Sequence, residues 1–524
     1  MTPEYIPERP KDANYRTLIV LLDGTGDSDD DDVIESTNEA TNIVFLDKIL
    51  YNGTKYPGDD KKQLVHYSTG IGADTTQTYA GLISYAWKKA RNTVDQAVAN
   101  SFETHLLQAY KWLADKYQDN DKICIFGFSR GAYTARALAG MLNAMGLLRV
   151  SDDASVKAAY DLYAEYNKLP PDSTDAQKKA RNTAWNTLFS DWERFRNEQK
   201  VKTPFIEFLG CWDSVNSVGF MDAIKLSHTA TNDMVRTFRH ALALDERRAK
   251  FKQNIWSPPK EPADTAHDQL NGVNRPSVVK RPSVVTDVQE VWFAGCHCDI
   301  GGGSVLNGTR PNLAHIPLRW MIRECFKANT GIIFSAHELA KLGIEPSHLY
   351  PSVRPRQDVD MLALGSYTIP VEQAPGWGSW AKSFVTSSKP QPRELSLPNL
   401  TEDELDVRDA HAPLFDQLVL KSSTWQLLET LATKKSVHDE TSDTWKEVWK
   451  SHNSVGRSIP PANKTHGGKV RVHRTVRMRM QGKHENGPEK GKPYIPKARL
   501  GWEHDFEKKL PFAQIDPKLI EWVS

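Results

Sequence analysis

A chain of 524 residues is longer than one average domain and suits a large core with insertions, or a core with an appendage. With 67 Lys and Arg against 66 Asp and Glu, no global field steers it to nucleic acid or to an anionic membrane, so either partner would need a local patch. Hydrophobic residues at 39% and charged residues at 25% describe a folded body with polar surface loops and exclude wholesale disorder.

The N-terminal stretch MTPEYIPERPKDANYR has no secretory pattern, and no run of about 18 uncharged apolar residues occurs, so a cytoplasmic protein is expected. Residues 17 to 22, TLIVLL, read as a buried strand that runs into the tight loop Asp23-Gly24-Thr25-Gly26. Asn38 to Leu50 has helical spacing, LVHYSTG is strand-like, and Thr93 to Tyr117 is helical again. This alternation predicts a mostly parallel sheet with helices on both faces. KICIFGF, 122 to 128, is a further buried strand, and AYTARALAGMLNAMGLL after Gly131 is a helix rich in small residues.

Residues 151 to 202 are charged and helical, which predicts a helical cap insertion. FIEFLGC (205 to 211) and EVWFAGC (290 to 296) are strands with polar residues at their carboxyl ends. Between them, RHALALDERRAKF reads as a helix and about 257 to 287 as a loop; LRWMIRECF, after Pro317, is helical. A core over 1–335 and a C-terminal extension over 336–524 follow. Within the extension, 355–412 is an irregular excursion rich in Pro, Gly and Ser, and KVRVHRTVRMRM reads as a strand near 469–480 that rejoins the core.

Gly127-Phe128-Ser129-Arg130-Gly131 is a GxSxG set between a buried strand and a small-residue helix. A bare GxSxG arises by chance in roughly one chain in six of this length, so the setting gives it its weight. At such an elbow the glycines permit a strained turn that lifts the serine hydroxyl clear of the sheet, ahead of a helix N-terminus. The plain alternative is a strand-to-helix turn with a capping serine. A serine needs a base and the base an orienting carboxylate, each at a strand's carboxyl end. Asp213 in LGCWDSV and His297 in WFAGCHCDIGGG supply them, in the chain order Ser, Asp, His that α/β-hydrolases use. Their plain readings are a loop-capping aspartate and a structural histidine; Asp299 is the rival acid. The backbone of Arg130 is one expected oxyanion donor, and Gly24 or Thr25 the second.

With these motifs the chain resembles the catalytic-domain family of type VI secretion phospholipase effectors, which has bacterial and fungal members. The blocks are LLDGTG, TNI at 41 to 43, GFSRGAYTARALAGML, LGCWDSV, RHALALDERRAKF, VWFAGCHCDIGGG with LRWMI, and PYIPKARLGW. The resemblance implies an α/β-hydrolase core with helical decorations, a triad at Ser129, Asp213 and His297, and phospholipase activity. The chain departs from the family pattern at Gly26 and Asp27, and at Ala294, Cys296 and Cys298.

Five cysteines, Cys124, Cys211, Cys296, Cys298 and Cys325, are an odd number set largely in apolar runs, which argues against a disulfide framework. Cys296-His297-Cys298-Asp299 lacks a second cluster to complete a metal tetrahedron, and Asp27 to Asp32 lacks calcium-loop spacing, so no metal is expected. Arg471, His473, Arg477 and Arg479 read as a charged strand edge in preference to a phosphate-binding face. Trp377, Trp380 and Phe384 are a candidate contact with a membrane surface. The expected activity is serine hydrolysis of a carboxylic ester, of a lipid or a small molecule, with no cofactor and no nucleic-acid partner. Acyl transfer or thioester cleavage by the same triad, and a binding protein on a hydrolase fold, are the alternatives.

Overall fold

Strand β1 (Thr17–Leu22) is buried along its whole length, and its β-branched and leucine side chains divide strictly between two layers. Leu18, Val20 and Leu22 enter one apolar cluster and Ile19 and Leu21 the other, because successive side chains of a strand point to opposite faces. A central strand with two covered faces is the mark of an α/β layer arrangement. The computed structural model describes residues 3–10, 12–24, 40–52, 62–69, 87–169, 175–215, 232–249, 251–256, 284–356, 368–369, 400–420, 433–439, 444–450, 454–461, 467–485, 489–501 and 509–524, with Leu226, Thr229 and Thr465.

Seven further strands join β1: β2 (Gln63–Ser68), β3 (Lys122–Phe128), β4 (Ile206–Trp212), β5 (Val235–Ala243), β6 (Asp287–Phe293), β7 (Val470–His473) and β8 (Ile520–Val523). Their spatial order is β2-β1-β3-β4-β5-β6-β7-β8, and every pairing is parallel. The chain runs outward from β1 to β2 and then returns to build on the other side of β1. The carboxyl ends of β1 and β3 therefore flank the point where the order reverses, the crevice in which open α/β sheets bind ligands.

On one face lie α2 (Trp87–Lys116), α3 (Arg130–Met145), α4 (Asp153–Ala164) and α5 (Asp175–Gln199); on the other lie α1 (Asn42–Ile49) and α7 (His315–Lys327), with the short α6 (His297–Gly301) opening beyond β6. Ala132, Ala135, Ala139 and Ala144 let α3 approach the sheet closely, and all its residues from Gly131 to Met145 are buried. Within 151–202 the described residues form α4 and α5. Their Tyr163 and Trp192 are buried in the cluster of α2 and α3, so they thicken that layer.

Two segments expected as regular elements take another form. RHALALDERRAKF does not form a helix: its first residues belong to β5, which lies between β4 and β6 and is buried on both faces. Ala and Leu favour helix, but burial between two partner strands overrides so weak a preference. The run 469–480 is not one strand. It is β7 followed at Arg474 by a helix, α9 (Arg474–Gln481). β7 is also no edge, being paired on both sides, and Arg471, Arg474 and Arg479 are engaged within the fold, whereas Arg477 of α9 is exposed. Arg471 meets Glu521, Arg474 meets Asp403 and Asp406, and the fully buried Arg479 donates to the carbonyls of Ala410 and Ala412.

The far end of the 355–412 excursion is packed. A capping box at Thr401 and Glu404 starts α8 (Glu402–Ala410), whose Asp406 and Asp409 receive the buried Arg319 of α7 at 2.8 and 2.7 Å. Asp27 to Asp32, Trp377, Trp380 and Phe384 lie outside the described residues. Among the described residues no helix is long and apolar enough to cross a membrane, and no group of His, Cys, Asp and Glu has the arrangement of a metal site.

Candidate active site

Three parallel strands deliver three side chains to one end of the sheet. The backbone ladder continues past the strand ends: Ser129 N–H donates to the Trp212 carbonyl at 3.0 Å and Asp213 N–H to that of Ala241 at 2.8 Å. Ser129 follows β3 directly with φ 58° and ψ −121°, a conformation that a non-glycine residue holds only when its surroundings impose it. The flanking glycines explain how. A Cβ on Gly127 would lie 2.4 Å from the Gly131 carbonyl oxygen, and one on Gly131 would lie 2.2 Å from that of Leu22. The elbow is thus pressed into the end of β1, and no side chain fits at either glycine.

His297 Nε2 lies 2.7 Å from Ser129 Oγ, and His297 Nδ1 lies 2.6 Å from Asp213 Oδ2. Serine, histidine and aspartate from the ends of β3, β6 and β4 therefore form one continuous hydrogen-bonded chain. The imidazole is clamped between rings, with Phe128 tilted at 4.8 Å and Phe251 edge-on at 4.9 Å. Its backbone N–H is held by Glu246 Oε2 at 3.3 Å. The rival acid Asp299 does not reach the imidazole. Its carboxylate accepts the backbone N–H of Cys296 and Phe415 at 2.8 and 3.1 Å, and so shapes the start of α6. Burial pushes the Asp299 carboxyl up to about 7.

Asp213 is fully buried, yet it stays ionised. Burial opposes its charge, but the guanidinium of Arg457 and then the hydrogen bond with His297 outweigh this, and the carboxyl lies well below the usual range. Arg457 grips both carboxylate oxygens, Nη1 to Oδ1 at 2.5 Å and Nη2 to Oδ2 at 2.8 Å, while Ala243 N–H adds a third donor at 2.9 Å. Burial lowers the His297 pKa below the ordinary imidazole value, and Asp213 counters this only in part, so the ring is neutral near pH 7. A neutral imidazole whose Nδ1 proton faces a carboxylate can accept a proton at Nε2 from the serine hydroxyl.

The amide of Arg130, the first of α3, sits directly after the serine at the positive end of the helix dipole. The Gly24 amide does not stand open to an oxyanion: it donates to Asp23 Oδ1 at 2.6 Å, and Thr25 lies outside the described residues. Asp23 also accepts from Thr41 Oγ1 at 2.8 and 2.9 Å and from Tyr67 at 2.8 Å, so its carboxylate joins the end of β1 to β2 and to the start of α1. Asn42 in turn donates to the carbonyls of Ile300 and Ala314 at 2.9 and 3.0 Å, which ties the start of α1 to the glycine turn behind His297. Arg457 was not legible in the sequence. It stands in an unremarkable SVGRSI segment, 244 positions from its partner, with no motif around it.

The parallel sheet, the elbow and the chain of contacts define a protein of the α/β-hydrolase class. Residues 16–324 match the model of the family described as T6SS, phospholipase effector Tle1-like, catalytic domain, and the chain belongs to that family. An uncharacterized protein of Saccharomyces cerevisiae, YEL023C, is 32% identical over 252 residues, which are 47% of this chain. The chain spans 33% of the length of that yeast relative. Among solved structures, an uncharacterized protein from Pseudomonas aeruginosa is similar over 63% of this chain and 49% of its own, at 17% identity and a TM-score of 0.33. The Tle1 effector bound to the VgrG spike of the type 6 secretion system is similar over 56% of this chain and 52% of its own, at 15% identity and a TM-score of 0.26.

Proposed function

We propose that this chain hydrolyses a carboxylic ester of a lipid, a phospholipid in the first instance, through an acyl-enzyme on Ser129. The observation that carries the reading is the contact of Ser129 Oγ with His297 Nε2 at 2.7 Å, on a serine strained to φ 58°. Membership of a phospholipase effector family supports the substrate class.

In the first half-reaction Ser129 Oγ attacks the ester carbonyl carbon and its proton passes to His297 Nε2. The imidazolium is stabilised by Asp213, and the tetrahedral oxyanion is held by the Arg130 amide. Collapse expels the alcohol, which takes the proton from His297. Water then attacks the acyl-serine, giving its proton to the same nitrogen, and the second collapse returns the proton to Ser129 and releases the carboxylic acid. No other group is required to balance either step.

Incubation with phosphatidylcholine or phosphatidylglycerol vesicles and with a soluble nitrophenyl ester, followed by mass spectrometry of the products, tests the reading. Fatty acid release from the vesicles by wild type and none by Ser129→Ala is expected. Ester turnover that survives Ser129→Ala contradicts it. An alcohol acceptor added in parallel separates hydrolysis from acyl transfer.

A further inference from the structure

The acid of the site is itself held by a side chain from far beyond the segment that matches the family. Arg457 lies outside residues 16–324, yet its guanidinium makes a two-pronged ion pair with Asp213 inside the protein, where Asp213 is 0% and Arg457 6% exposed. The same guanidinium also donates from Nε and Nη2 to the Phe251 carbonyl, at 3.0 and 2.6 Å. Phe251 packs its ring edge against His297. One planar fork thus fixes the carboxylate that meets Nδ1 and the residue that leans on the imidazole ring.

The segment that carries Arg457 is itself locked. A Cβ on Gly456 would lie 2.0 Å from the Lys497 carbonyl oxygen, and Ser458 and Ile459 pair in parallel with Arg499 and Leu500. The adjoining Ala498 donates to the Leu244 carbonyl at 2.8 Å, just past β5. Residues 456–459 are in this way threaded onto the carboxyl end of the sheet beside the triad.

We propose that Arg457 is a positioning residue of the active site, which keeps Asp213 charged and orients it toward His297, so that the C-terminal extension completes the catalytic centre. The inference rests on the serine-hydrolase reading given above. Physically, a buried carboxylate without a cation resists ionisation, and a protonated Asp213 could neither hold the imidazole tautomer nor stabilise the imidazolium. The cation also offsets part of the Asp213 field at the ring, which makes the imidazole less basic. The other charged or titratable groups facing this pair are Glu246 and Arg248, both in the loop after β5, and His240 of β5, whose Nε2 accepts from Ser214 N–H at 3.0 Å. Of these, Glu246 also feels the Arg457 charge, although its own ion pair is with Arg248.

Turnover of a soluble nitrophenyl ester by the full chain, followed from pH 4 to 9, tests this with Arg457→Met and Arg457→Lys. Arg457→Met is expected to lower kcat by about 10²-fold at unchanged KM. Its ascending pH limb should move up by about one unit, because Asp213 and His297 both hold protons more tightly without the cation. Arg457→Lys, which keeps the charge without the fork, should retain the wild-type limb with a several-fold lower kcat, and it stands in should the methionine variant fail to fold. Arg16→Met, which removes an ion pair with Asp121 at the amino end of β1 and β3, the end of the sheet away from the triad, serves as the comparison and should keep the wild-type limb. A methionine variant with the wild-type limb, or a lysine variant identical to wild type, overturns the proposal. Turnover that survives Ser129→Ala instead overturns the hydrolase reading beneath it.

Discussion

At the scale of single residues, the site turns on the protonation of His297. Burial lowers its pKa below the 6.5 of a free imidazole, so the base is deprotonated at neutral pH. In the proposed mechanism turnover needs the neutral ring and is lost as pH falls through the His297 pKa. The ascending limb of kcat/KM for wild type is therefore expected below pH 6.5, and a limb centred above 7 contradicts this account of the base. Ser129, Asp213 and His297, whose side chains meet in one hydrogen-bonded chain, could each be proposed from the sequence because each follows an apolar run. Arg457 could not, since arginine is common and its partner is set by tertiary geometry alone. Gly24 shows the opposite limit. A glycine loop after a first strand is legible, but the occupation of its amide by the neighbouring Asp23 carboxylate is not.

At the scale of elements, the elbow is a close-packing device. Gly131→Ala brings a Cβ to 2.2 Å from the Leu22 carbonyl and 2.4 Å from that of Asp23, both backbone atoms of β1 and its loop. Overpacking of this kind costs about 1–3 kcal/mol, and a lower denaturant midpoint together with loss of turnover is expected. A variant as stable and active as wild type would show that β1 and the elbow have room to separate. Strands β1, β3 and β4 were readable because each is a short apolar run, and β6 through its apolar end Val291–Phe293. β5 and α9 were misread for complementary reasons. β5 is buried on both faces, so it shows no alternation and its Ala-Leu content imitates a helix. α9 continues from β7 with an apolar-basic alternation, but its Val476, Met478 and Arg479 are buried against neighbours that the local sequence does not reveal. α8 was hidden by the composition of the excursion before it, although Thr401 and Glu404 are a capping box of legible spacing.

At the scale of the whole molecule, charged groups inside the fold make stability depend on pH. Burial pushes the Glu246 carboxyl up, but the Arg248 guanidinium outweighs this and holds it at about 2, below its ordinary 4.5. A depressed carboxyl contributes stability that is present above the unfolded value and is lost as pH falls through the folded one. Asp213 and Asp406, both held low by buried arginines, act in the same direction. The melting temperature is therefore expected to fall between about pH 4.5 and 2, as followed by circular dichroism; a flat profile there would mean that these pairs do not survive in solution. The assembly of the sheet also has a whole-chain logic. β7 and β8 arrive from residues 470–473 and 520–523 to cover the outer edge of β6, and Arg457 travels with them to the triad.

The proposed mechanism makes Ser129 a nucleophile activated by His297 and Asp213. Covalent labelling with an alkyl fluorophosphonate, with the modified peptide identified by mass spectrometry, tests it most directly. A label on Ser129 is expected in wild type, none there in Ser129→Ala, and labelling slowed by about 10⁴-fold in Asp213→Asn, with a comparable loss in His297→Ala. A folded wild type that takes no label at Ser129, or labelling that proceeds at the same rate without His297, would contradict it.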